Sequence, residues 1–312
     1  MPEPTASSVG ILATPEVETS PGAPSRGRPK WLRRTASFLI ILAVLILLWE
    51  GYKAIGAATD NKIPGTDLPL PIRSNDTAMP HLTAIAGALF KPVQRGQTET
   101  LFGFLVRAAL FTLREALVGF VVGSLIGFAL AVVFVHSSLF ERGLMPYVVA
   151  SQTVPLLAIA PMIVIWGGQL GWEPWVRVTV VSAYLTFFPV TINSLRGLRS
   201  PHPAALELMR SYAAPRRDVL WKLRFPAALP YLFTALKISA SLSVIGAIVG
   251  ELPSGIGDGL GRALLTFNQY FVTGPEKLFA AIIIASLAGM IFVGVIALIE
   301  RLVLPPQRRL VE

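Results

Sequence analysis

The residues spaced for chemistry lie in one stretch, Ala204 to Glu251. Glu207 is followed six positions later by Ala213, and after nine more residues by Leu223, Arg224, Phe225 and Pro226. Arg210, Arg216, Arg217 and Lys222 crowd the same segment. There is no nucleophile with a base beside it, so the chemistry on offer is docking rather than bond making. Leu206, Met209 and Ala213 recur at helical spacing and give a small apolar face on a basic surface. Ala214 precedes Pro215, and proline is tolerated at the first position of a new helix. The spacing predicts a helix, a tight turn and a second helix. This hook runs past Pro226 straight into an apolar helix.

Polar residues inside apolar stretches are the second group. Ser239, Ser243, Gly246 and Gly250 share one face of the helix after the hook, which closes with Glu251. Any motion of the hook moves this stripe first, so it is expected to line a solute passage rather than serve packing alone. If it proves to be a packing face, the passage belongs near Gln152, Thr153 and Asn193 on the two preceding helices. Lys237 on the same helix is either a pathway charge or a lysine reaching for the interface. Glu50, Glu115, Glu251 and Glu300 are all expected toward helix ends, which argues against coupling by buried carboxylates. Gly119, Gly123 and Gly127 recur every four residues, a spacing that lets another helix approach closely.

The elements that carry these residues follow from composition. Of 312 residues 53% are hydrophobic and only 14% charged, where a soluble domain carries about 25% charged residues. The chain is therefore read as an all-α protein of the lipid bilayer. Its net charge of +9 would suggest nucleic acid in a soluble protein; here basic loops facing anionic lipid account for it and no nucleic acid is expected. Six transmembrane helices are expected, near 37–58, 112–135, 144–166, 176–198, 228–250 and 278–303. Residues 1–34 form a disordered basic tail. Residues 35–111 hold the first helix and a long outer segment with an amphipathic stretch near Leu101 to Leu110. Residues 112–304 form the core, with a coupling loop at 199–227, and 305–312 form a second tail. A cleaved leader is the rival to the first helix, whose apolar core is short; an uncleaved helix is favoured. Sixteen of the 27 Lys and Arg fall on the hook side when the N-terminus is placed inside, which puts the hook and both termini in the cytoplasm. The glycine-rich stretch 253–261 lacks the Lys-Ser/Thr of a phosphate cradle and is expected to be a flexible outer loop.

Absent signatures exclude other classes. No cysteine occurs, and His81, His136 and His202 are too far apart in sequence to suggest a metal site. No cofactor is expected. No Gly-x4-Gly-Lys-Ser/Thr is present, so ATP binding through such a loop is not expected and an uphill transporter needs an outside energy source.

The spacing from Glu207 to Pro226 resembles the EAA loop of permeases in ATP-driven, binding-protein-dependent importers. That pattern is Glu-Ala-Ala, three residues, Gly, nine residues, Ile-x-Leu-Pro. Leu208 and Met209 stand in place of the two alanines, and Ala213 in place of the glycine. Alanine takes a positive φ less cheaply than glycine, so a tighter or more helical turn is expected. Leu-Leu-Trp-Glu-Gly at 47–51, followed by Leu68 to Pro71, resembles permeases for sulfonates, taurine and nitrate. The resemblance implies the six-helix type I permease fold. It implies a second permease subunit, most simply an identical one, two cytoplasmic ATPase subunits and an external solute-binding protein. It also implies that Leu206, Met209 and Ala213 contact the ATPase, with Glu207 pairing across that contact or bracing the hook. The solute ranges over sulfonates, taurine, nitrate and pyrimidine-type vitamin precursors, with a small organic anion weakly favoured. A secondary transporter and a membrane scaffold stay open as alternatives.

Overall fold

The computed structural model describes residues 30–63, 68–94, 96 and 98–304, with the backbone alone for 30–34. Of the expected tails at 1–34 and 305–312, residues 1–29 and 305–312, with Arg26, Arg28, Arg308 and Arg309, lie outside these residues, and 30–34 are helical rather than disordered. The chain forms two compact units divided between Tyr52 and Lys53. Among the described residues there is no strand, only two isolated bridges, Lys62 with Pro69 and Pro92 with Thr100.

The first unit holds most of α1 (Lys30–Ala58), which starts seven residues before the expected boundary. Phe38 to Ile41 and Val44 to Leu48 are all more than 40% exposed. Such a run is stable only in hydrocarbon, where a helix satisfies its own backbone.

The second unit begins with the last turn of α1. Lys53 is only 5% exposed and its ammonium donates to Asp76 at 2.6 Å. This attraction holds the Asp76 carboxyl below its ordinary range. After α2 (Leu82–Leu89) comes α3 (Leu101–His136), capped by Thr100, whose side chain accepts from the Gly103 N–H. The Leu101 to Leu110 stretch is thus the first part of the spanning helix rather than a separate amphipathic segment.

The expected third helix is two helices, α4 (Ser138–Ala150) and α5 (Leu156–Gln169). Pro155 causes the break: it has no N–H to continue the ladder, and it disfavours helix at the residue before it. Next come α6 (Pro174–Leu198), α7 (Pro203–Ser211) and α8 (Arg216–Asp218). A π turn, Val219–Arg224, joins α8 to α9 (Phe225–Ser254), and α10 (Leu260–Gln269) and α11 (Pro275–Val303) complete the unit. Among the described residues five helices are long and apolar enough to cross a membrane, with α5 a shorter apolar one, so the expected six hold only if α4 and α5 count as one broken span.

The centre of the bundle is α6, packed between α3 and α9. Small residues make this possible. A Cβ on Gly119 would lie 2.5 Å from that of Ser182, and one on Gly123 would lie 2.5 Å from the Ala183 carbonyl. One on Gly127 would strike the Phe187 carbonyl. Backbones this close gain dispersion and interhelical hydrogen bonds, the forces that associate helices in lipid.

Candidate functional site

The hook is built from α7, its turn and α8. His202 caps α7, its ring nitrogen accepting from the Ala204 N–H, and Pro203 occupies the first turn. The helix ends in a paired closure. The Ala213 N–H donates to the Arg210 carbonyl at 2.8 Å and the Ala214 N–H to the Met209 carbonyl at 3.0 Å. This is the Schellman arrangement, which calls for a left-handed residue where Ala213 sits. Ala213 adopts it, with φ +47°. The expected tighter, more helical turn is therefore not formed; alanine takes the glycine conformation, at a cost of about 1–2 kcal/mol.

None of α7 is buried. Leu206 and Met209 are half-buried, whereas Leu208 is 57% and Tyr212 78% exposed. The outward apolar pair is thus Leu208 and Tyr212, four residues apart, with Glu207 and Arg210 exposed beside it. Lys222 pairs with Asp218 one turn away at 2.7 Å, and Arg199 pairs with Glu141 at the start of α4. From Arg216 to Ser254 the chain is continuously helical for 39 residues. The second half of the hook is therefore the end of the α9 rod, and Pro226, inside that rod, gives no N–H to its backbone ladder.

The stripe on α9 faces α6. The Ser182 hydroxyl donates to the Ser243 carbonyl at 2.8 Å, and the Ser239 hydroxyl donates to the Thr186 carbonyl at 3.2 Å. A Cβ on Gly246 would lie 2.9 Å from the Ser182 Cα, and one on Gly250 would lie 3.3 Å from that of Val178. Ser239 and Ser243 have no exposed surface. In the protomer the stripe is a packing surface, contrary to the expected passage lining. Gln152 and Thr153 are exposed at the break between α4 and α5, and Asn193 is half-buried, its amide donating to the Pro189 carbonyl at 2.8 Å. Lys237 lies 3.2 Å from Glu300 of α11, both largely covered.

At the far end of α9, Glu251 has no exposed surface. One oxygen accepts from the Thr112 hydroxyl of α3 and the other from the Gly261 N–H in the first turn of α10. The Leu260 N–H donates to the Thr112 oxygen at 2.8 Å. Glu251 and Thr112 together cap α10 from two other helices, satisfying donors that a helix start leaves open. A Cβ on Gly259, whose φ is +105°, would lie 2.5 Å from the Glu251 carboxyl carbon, and one on Gly261 would strike the Ile248 carbonyl. The expected flexible loop is instead a fitted cap: Gly255 ends α9 in the left-handed conformation and Leu260 starts α10. Glu115, 1% exposed and fifteen residues into α3, faces Glu251. Glu115 and Glu251 are therefore not placed at exposed helix ends, and the carboxylate argument against ion coupling fails. That Thr112, Glu115, Glu251 and the two glycines come together was not expected from sequence. The available signal was four glycines in seven residues directly after a carboxylate that ends an apolar helix.

Residues 119–304 match the family described as binding-protein-dependent transport system inner membrane component. The chain is 36% identical over 201 residues to the formylaminopyrimidine transport permease protein ThiX of Halalkalibacterium halodurans, covering 64% of this chain and 76% of that one. It is 28% identical over 296 residues to the putative aliphatic sulfonates transport permease protein SsuC of Bacillus subtilis, covering 95% of each. Among solved structures it is similar to a chain of the MetNI methionine ABC transporter in an inward-facing form, with TM-score 0.52, 18% identity and coverage of 66% and 96%. The hook spacing, the α3–α6–α9 bundle and these matches together show that the chain belongs to the binding-protein-dependent transport family, as an ABC importer permease for small solutes with the type I fold.

Proposed function

We propose that α7 docks on a cytoplasmic ATPase subunit and that α9 carries the resulting movement into the membrane. The observation that carries this is the hook itself, a helix with no buried residue set on the end of a 39-residue rod. A well-formed helix exposing Leu208 and Tyr212 to water is explained by a partner that covers them. Leu206, Met209, Ala213 and Ala214 shape the hook beneath that face, and Glu207 and Arg210 supply polar contacts at its rim. ATP is hydrolysed by the partner chain. A second copy of the permease completes the passage, and a solute-binding protein delivers cargo on the outer side of the cell membrane.

The passage lies at the break between α4 and α5. Gln152 and Thr153 are exposed there, and unwound backbone at membrane depth is tolerated where it lines a cavity. Asn193 supplies an amide from α6. The solute is a small organic anion. The chain shares most of its length with a relative named for aliphatic sulfonates and is also similar to the taurine permease TauC of Escherichia coli, although ThiX, named for a pyrimidine, marks the alternative.

Co-purification of the ATPase with wild type and Leu208→Asp protein tests the docking. Retained ATPase, with ATP hydrolysis still stimulated in the variant, would remove the hook from the mechanism. Orientation is tested with single cysteines, since the chain has none of its own. Gln269→Cys should react with an impermeant thiol reagent from outside and Ser211→Cys should not; both side chains are exposed. Ser74, 5% exposed and bonded to Asn61, is unsuitable as a reporter.

A further inference from the structure

The end of the bundle away from the hook contains a cavity of about 440 Å³ between α10, the start of α3 and the start of α11. That volume lies within the range of small-molecule sites, roughly 300–1,000 Å³. Among the described residues three cations line it: Arg107 of α3, Arg262 of α10 and Lys277 of α11. Glu99, the one acidic residue in its wall among the described residues, is already paired with Arg107 at 3.1 Å. Lys277 donates to the Val93 carbonyl at 2.7 Å, which leaves its charge uncompensated. Arg262 has neither an ion pair nor a side-chain hydrogen bond among the described residues. The wall therefore carries an excess of positive charge and holds an unoccupied guanidinium.

The rest of the wall is aromatic. Phe104 and Phe267 meet edge to face with centroids 6.2 Å apart, and Arg107 lies over the Phe104 ring at 5.8 Å. Tyr270, 65% exposed, flanks the opening. Guanidinium groups bind planar oxyanions through two parallel hydrogen bonds. Aromatic walls hold a flat apolar body by edge and face contacts worth more than its area alone.

We propose that this cavity binds a small aryl anion, a carboxylate or sulfonate on a flat ring, with Arg262 and Lys277 holding the charge and Phe104, Phe267 and Tyr270 the ring. The site is separate from the α4–α5 break. It also abuts the cap of α10, because Arg262 directly follows Gly261, whose N–H Glu251 accepts. Occupancy of the cavity therefore bears on the far end of α9, the rod that the hook drives. An anionic lipid headgroup shares the charge but lacks the ring, so Tyr270 separates the two sources.

The test uses the full chain in phosphatidylcholine nanodiscs and benzenesulfonate as probe, with Kd read by calorimetry. Saturable binding is expected, with methanesulfonate binding much more weakly. Arg262→Gln should raise Kd about tenfold or more, the size of a lost charge-assisted hydrogen bond, and Tyr270→Leu should raise it severalfold. Both side chains are exposed, so thermal unfolding should not change. Absence of saturable binding, or an unchanged Kd in either variant, overturns the proposal. Displacement of benzenesulfonate by added phosphatidylglycerol, with no effect of Tyr270→Leu, assigns the cations to lipid and overturns it as well.

Discussion

The two ends of α9 are built on opposite principles. At the hook end every side chain of α7 keeps solvent access, and the hydrogen bonds that hold its turn, from Ala213 and Ala214 to Arg210 and Met209, join residues five or fewer apart. At the other end Glu251 and Thr112 are fully buried, and the bonds that hold them join residues up to 148 apart. One end is complete by itself and leaves a surface for another molecule. The other is complete only when α3, α9 and α10 meet. A rod fixed by its own chain at one end and presented at the other can receive a push without coming loose.

The sharpest way to break this contrast is at the buried end. Glu251→Ala removes the acceptor of the Gly261 N–H and leaves Glu115 beside a void, while the Thr112 hydroxyl keeps the Ala108 carbonyl at 3.1 Å. An unsatisfied buried donor costs about 1–3 kcal/mol and the void adds to it, so the purified protein should lose several degrees of thermal stability. Glu251→Gln, which keeps one acceptor, should lose less. A melting temperature equal to wild type for Glu251→Ala would show that the cap is not holding α10.

The corresponding change at the hook should behave in reverse. Leu208→Asp should abolish uptake and ATPase co-purification while leaving thermal unfolding where it was. Truncating an anchor in a small docking face typically costs about 2 kcal/mol or more of binding. If Leu208→Asp lowers stability as much as Glu251→Ala does, the hook is part of the folded core and the contrast fails.

A smaller effect should come from Ala213→Gly. The left-handed φ of +47° strains alanine and not glycine, so this change should relieve about 1 kcal/mol within the turn, less the greater entropy that glycine loses on folding. Hydrogen exchange of the Ala214 amide should slow, with uptake retained. Faster exchange would mean that the turn is not strained.

The weakest effect lies outside both ends, at Asp76. Its carboxyl is held below the ordinary value by the Lys53 ammonium. The contribution is thus fully present above the unfolded-state value, about pH 3.9, and is lost as pH falls through the lower folded value. Asp76→Asn should remove this acid-side dependence. Asp76 is exposed, so the change should be small and should shrink in salt. An acid melting curve identical in wild type and variant would exclude the contribution.

Much of the hook was legible in the sequence because its determinants are local. Pro203 and Pro215 each mark a helix start, Glu207 and Ala213 fall at fixed spacing, and the turn bonds reach only to neighbours. The glycines at 119, 123 and 127 signalled a close approach, although α6 as the approaching partner could not be named. Pro155 was seen inside an apolar run, but breaking that helix depended on what surrounds it: the Tyr184 hydroxyl reaches the Ser151 carbonyl freed there.

The stripe on α9 and the glycine-rich stretch were misread for one reason. A row of Ser and Gly is compatible with a passage and with a packed interface, and composition cannot say which neighbour faces it. A run of glycines is compatible with a mobile loop and with a backbone that must pass against a buried carboxylate. The sequence by itself determined that apolar helices fill a bilayer and where the hook lies, since periodicity, prolines and capping act within a few residues. Only the tertiary structure decided that Ser182 and Thr186 meet the stripe, that Lys237 meets Glu300, and that Thr112, Glu251 and Gly261 meet at all. Those contacts join positions from 10 to 139 residues apart, and their partners are selected by the packing of α3, α6 and α9, not by any local preference of the chain.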